Sequence, residues 1–65
     1  MYTAITEKFK NINQKNISKI IGITEFTMSR IINKKQNTSK MTAYCIVKAI
    51  DENAEIQDYF IKKGE

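Results

Sequence analysis

At 65 residues, 42% of them hydrophobic, the chain has material for one small core, and a domain of this size buries only about 60% of the surface its unfolded chain exposes. Eleven Lys and Arg against seven Asp and Glu give a net charge of +4 and a pI near 9.3, which points to a polyanionic partner. The lack of histidine and the single cysteine, Cys45, exclude a zinc set and an internal disulfide, and no apolar run approaches the roughly 20 residues of a membrane span.

Without proline, and with only Gly22 and Gly64, the sequence lacks the usual strand punctuation. The expected architecture is therefore all-α, a compact bundle of five short helices in a single domain over residues 1–65. Tyr2, Ile5, Phe9 and Ile12 recur at three- and four-residue steps and predict a first helix, with Thr3 as a candidate cap. Asn13 is a good N-cap for a second helix that turns Ile17, Ile20 and Ile21 to one face and stops at Gly22, a natural left-handed C-terminal position. Thr24 caps a third helix that runs through Asn33 with Met28, Ile31 and Ile32 inward.

Residues 34–39 are polar and basic, carry no apolar periodicity and read as a loop. A fourth helix follows to about Ile50, with Ala43, Ile46, Val47 and Ile50 at the spacing of one buried stripe. Asp51, Glu52 and Asn53 break the pattern. A last short helix gathers Ile56, Tyr59, Phe60 and Ile61 before fraying into Lys62, Lys63, Gly64 and Glu65.

The charge is unevenly placed. Residues 1–50 hold nine basic groups against Glu7 and Glu25, whereas residues 51–65 hold two basic and five acidic groups. One face then meets a polyanion while the acidic C-terminal segment points elsewhere.

The second and third helices with their short glycine-containing connection have the layout of a helix-turn-helix. Gly22 permits the reversal, Ile23 plugs the angle, and Ile17, Ile20, Met28 and Ile31 hold it. At about 100° per residue the third helix groups Thr27, Met28, Ile31 and Ile32 on one side and Glu25, Phe26, Ser29, Arg30 and Asn33 on the other. Arg30 can donate twice to a guanine edge, Glu25 can accept from a cytosine amino group, Ser29 can pair with several bases, and Phe26 can touch a thymine methyl. Three of the four have a plainer alternative: Glu25 at the positive end of the helix dipole, Phe26 turned into the core, Arg30 on a phosphate.

These residues resemble the phage-repressor and Cro-like helix-turn-helix regulators, the lambda-repressor-like or Xre group. The similar stretch runs from Asn13-Gln14 through Ile17 to Thr24 and Thr27 to Asn33, and on to Lys48-Ala49-Ile50. The resemblance implies that Gln14, opening the second helix, contacts the DNA backbone, that Glu25, Phe26 and Arg30 read bases, and that Asn33 closes the reading helix. It also implies that the following loop, Lys34, Lys35, Gln36 and Asn37, approaches phosphates. Many members carry glycine where this chain has Lys34 and proline where it has Thr38.

The expected function is thus a sequence-specific double-stranded DNA-binding regulator, a Cro-type phage or prophage repressor that binds a palindromic operator as a homodimer. Gln14, Lys15, Asn33, Lys34 and Lys35 would grip phosphates on either side of the groove. Ile56, Tyr59, Phe60 and Ile61 are the candidate dimer interface, or else close the core of a monomer. A small phage-type activator, or a helical protein-interaction module such as an antitoxin or antirepressor, are the alternatives. No phosphate-cradling glycine loop and no nucleophile beside a base can be found, so an enzyme is not expected, nor are a cofactor, a small-molecule ligand or a membrane partner. The first residues do not form a secretory signal, and the expected location is the cytoplasm.

Overall fold

The computed structural model describes residues 1–63 of the chain. Three α-helices have the local signals that the sequence carries. Helix α1 (Gln14–Ile21) starts where the Asn16 N–H donates to the Asn13 side chain at 3.0 Å, and ends at Gly22, whose φ of 81° suits a residue without Cβ. Helix α2 (Glu25–Ile32) starts where the Thr27 N–H donates to the Thr24 hydroxyl at 3.1 Å. Helix α3 (Lys40–Ile50) is capped in the same way by Ser39, at 3.2 Å from the Thr42 N–H. Each cap satisfies a backbone donor that the helix itself cannot pair. No helix of the described residues is long and apolar enough to cross a membrane.

The two ends of the chain overturn the all-α expectation. Instead of a first helix there is a strand, β1 (Tyr2–Ala4), followed by a 3₁₀ turn, Thr6–Phe9. Instead of a last helix there is a 3₁₀ turn, Ile56–Asp58, followed by a strand, β2 (Phe60–Lys62). The strands pair antiparallel, Tyr2 with Lys62, Thr3 with Ile61 and Ala4 with Phe60. The described residues form three α-helices and a two-stranded sheet, not a five-helix bundle. Thr3 accordingly caps nothing: its hydroxyl donates to the Asn37 side chain at 2.6 Å. Gly64 and Glu65, expected at the frayed end, lie outside the described residues.

The physical reason is non-local pairing. The apolar steps at Tyr2, Ile5, Phe9 and Ile12 fit one helix, but they fit equally a short strand that leads into a 3₁₀ turn. Three residues are too few to reveal an alternating period, and the partner strand lies at the far end of the chain. Once paired, β1 is held on both edges, because Tyr2 exchanges backbone hydrogen bonds with Thr38 at 2.7 and 2.9 Å.

One core results. Ile17, Met28, Ile31, Ile32, Ala43, Ile46 and Val47 come from the helices, and Ala4, Phe9, Ala54 and Phe60 from the terminal segments. Phe9 meets Tyr59 and Phe60 edge-on, with ring centroids 5.4 and 5.6 Å apart, a favoured geometry for aromatic pairs. The inner stripe of α1 consists of half-buried Gln14, buried Ile17 and Ser18 and half-buried Ile21. Ile20, which the sequence assigns to that stripe, is 60% exposed. A small serine occupies the inner position instead, its hydroxyl donating to the Lys15 carbonyl at 2.9 Å.

This register makes adjacent residues of β2 energetically opposite, since Phe60 is 2% exposed and Ile61 51% exposed. Phe60→Ala should cost about 3–5 kcal/mol and Ile61→Ala no more than about 0.5 kcal/mol, read from urea unfolding monitored by circular dichroism. Comparable losses at both positions would contradict the strand.

Candidate nucleic-acid interface

Helix α2 buries Met28, Ile31 and Ile32 and half-buries Thr27, so its other side is obliged to face outward. That side holds exposed Glu25, Phe26 and Asn33 and half-buried Ser29 and Arg30. The three-residue connection Gly22-Ile23-Thr24 brings α2 against α1, and Ile23 packs on the core. Of the side chains expected to hold the two helices together, Ile17, Met28 and Ile31 are buried and Ile20 is not.

Phe26 is 72% exposed and does not turn into the core. Its ring instead supports Arg30, whose guanidinium carbon lies 5.7 Å from the ring centroid, within the range of a cation–π contact. The Arg30 Nε donates to the Gln36 side-chain oxygen at 2.9 Å. This hydrogen bond uses Nε and leaves the fork of terminal nitrogens, the part that reads a guanine edge, outside the Gln36 contact. Gln36, expected on phosphate, is in this structure half-buried and a partner of Arg30. Glu25 is exposed in the first turn of α2, where the helix dipole favours a carboxylate.

The Asn33 side-chain amide donates to the Ser29 carbonyl at 2.9 Å and to the Ser29 hydroxyl oxygen at 3.2 Å. It thereby closes the helix and fixes Ser29 at once. Beyond it the Lys34 N–H donates to the Ile31 carbonyl at 3.2 Å and the Lys35 N–H to the Arg30 carbonyl at 2.8 Å, the two bonds of a Schellman ending. That ending forces Lys34 to a φ of 66°, the left-handed region that glycine occupies freely and lysine does not. The price is small beside what the motif satisfies, and it leaves both lysine side chains exposed. Asn37 is exposed too, although its side-chain oxygen is taken by Thr3.

On α1, Gln14 is half-buried in the first turn and Lys15 is exposed. Lys15 shares a shallow depression of about 140 Å³ with Asn13, Asn16 and Lys19. Lys19 and Asn16 are thus polar neighbours of Lys15 that the sequence reading did not single out; four-residue spacing on one helix face was the signal for Lys19.

The residues expected at a dimer interface are mostly committed elsewhere. Phe60 is buried, and Ile56 and Tyr59 are half-buried against the core. These three belong to the core because the segment is a 3₁₀ turn and a strand, not an amphipathic helix with a free face. Ile61 alone of the four is well exposed.

No family model, curated protein or solved structure matches this chain.

Lys34 offers a test that separates backbone from side chain. Lys34→Gly should relieve the left-handed conformation and raise stability by about 1 kcal/mol, seen as a higher urea midpoint with unchanged slope. A lowered midpoint would mean that this backbone conformation costs lysine nothing.

Proposed function

We propose that the chain is a sequence-specific double-stranded DNA-binding transcriptional regulator in which α2 enters the major groove. The observation that carries this reading is Arg30. It stands on the outward face of a helix whose opposite face is buried, with Phe26 against its guanidinium and Gln36 on its Nε. A side chain set in this way loses little entropy when it meets a guanine, which is what base reading asks of an arginine. Glu25 and Ser29 share that face and would read adjacent bases.

Phosphates would be held by Lys15, Lys34 and Lys35, with Gln14 and Asn37 as polar contacts, whereas Asn33, expected among them, spends its donors on Ser29. Phosphate contacts position the protein and supply salt-dependent affinity, whereas base contacts supply discrimination. One such helix reads few base pairs, so useful specificity comes from a homodimer on two half-sites about one DNA turn apart. The surface for that dimer is β2. The bonds from the Ile5 N–H to Tyr59 and from the Lys63 N–H to Met1 put Phe60 and Lys62 at the alternate backbone positions that point away from β1. Ile61 adds an exposed apolar side chain. Bound over a promoter, the dimer represses by occlusion.

Selection from a pool of random duplexes at two salt concentrations tests this reading. A palindrome should be enriched, and affinity should fall on the order of tenfold or more over a few-fold rise in salt. Arg30→Ala should keep the fold and lose about 1–3 kcal/mol of discrimination at one position of each half-site. Salt-sensitive binding without enrichment would contradict a specific regulator and favour a protein-interaction module.

A further inference from the structure

A groove of about 500 Å³ lies between the outer face of α3 and the sheet. Lys40, Tyr44 and Lys48 form one of its walls at four-residue steps along α3, and Tyr2, Ile56 and Lys62 lie across from them. The lining combines apolar Tyr44, Ile56 and Phe60 with three lysines. Tyr44 is 50% exposed and Met41, beside it on α3, is 72% exposed, more apolar surface in one place than single scattered side chains provide.

The lysines differ in how they are held. The Lys48 ammonium donates to the carbonyls of Ala54 at 2.8 Å and Glu52 at 3.2 Å and lies 5.5 Å from the Tyr44 ring centroid. These neutral partners fix its position without cancelling its charge. Lys40 stands in the first turn of α3, where the helix dipole adds to its charge, and Lys62 is exposed on β2. Glu55 is the acidic member of the lining; its backbone N–H donates to the Asp58 carboxylate at 2.9 Å, and the Asp58 N–H donates back to the Glu55 backbone carbonyl at 3.0 Å.

We propose that this groove is a docking surface for an acidic segment of a partner protein that carries apolar side chains between its carboxylates. The carboxylates pair with Lys40 and Lys62, and an apolar side chain covers Tyr44 and Ile56. Charge complementarity selects this occupant. A second copy related by a two-fold axis through the groove would bring the same lysines face to face, and a DNA phosphate has no use for the apolar side chains of the lining. None of the lining residues belongs to α1, α2 or the loop over residues 33–37, so a ligand on α2 does not itself cover the groove and the proposal does not depend on DNA reading; Phe60 and Lys62 also lie on β2, so pairing of that strand with a second copy would compete with this partner.

The test is a titration of the ¹⁵N-labelled full chain with a short synthetic peptide that alternates Glu or Asp with Leu and Phe. Saturable binding is expected, with amide shifts confined to α3, the sheet and the 3₁₀ turn over Ile56–Asp58. The double variant Lys40→Glu and Lys62→Glu should weaken it by about tenfold or more. Tyr44→Ala should weaken it severalfold without altering the net charge, and Arg30→Ala should leave it unchanged. A peptide with Ser for every Leu and Phe should bind more weakly than the parent. Absence of saturation, shifts centred on α2, equal affinity for the Ser peptide, or indifference to both the Lys40/Lys62 and Tyr44 variants would each overturn the proposal.

Discussion

The contact of Phe9 with Tyr59 and Phe60 joins the two ends of the chain, and the setting of α2 depends on it. A domain this small has little core to spare, so its terminal segments have to contribute to it. Their closure also brackets the far end of α2. In the turn that leads to Phe9, the Thr6 hydroxyl donates to the Ile32 carbonyl at 2.7 Å. One strand earlier, Thr3 holds Asn37 and Tyr2 holds Thr38. The last turn of α2 and the loop behind it are thus tied to β1, and β1 is tied to β2. Removing the aromatic contact would loosen the loop as well as the core.

That loop is what turns a helix face into a site. Gln36 reaches Arg30 because Asn33, Lys34 and Lys35 end α2 in a Schellman turn and Asn37 is pinned by Thr3. Each interaction is modest: about 0.5–1 kcal/mol for an exposed cation–π pair and about 1 kcal/mol for a typical hydrogen bond. Together they restrict a side chain that would otherwise sample many rotamers, and they do so before any partner arrives. The groove beside α3 follows a different logic, with Lys48 held by backbone carbonyls next to the half-exposed Tyr44 ring.

The three helices were legible because their signals are local. Asn13, Thr24 and Ser39 bond backbone groups three residues ahead, and Gly22 marks a backbone conformation that few other residues accept. The outward face of α2 was legible for the same reason, since a helical period assigns Glu25, Phe26, Ser29 and Arg30 to one side. The terminal strands were not, because Tyr2–Ala4 finds its partner almost the whole chain away. Nor was the partnership of Gln36 with Arg30, which exists only once Lys34 takes the left-handed conformation that the sequence would assign to glycine. Ile20 misled because a helix pattern rewards apolar residues and cannot anticipate that buried Ser18 fills the inner position.

The central claim is that Arg30 reads a guanine in the major groove. Guanine N7 methylation interference on the selected duplex tests it most directly. Methylation at one guanine of each half-site should block the native chain and be without effect on Arg30→Ala. Binding that ignores N7 methylation throughout, while remaining sensitive to salt, would contradict it and leave only attraction to the phosphate backbone.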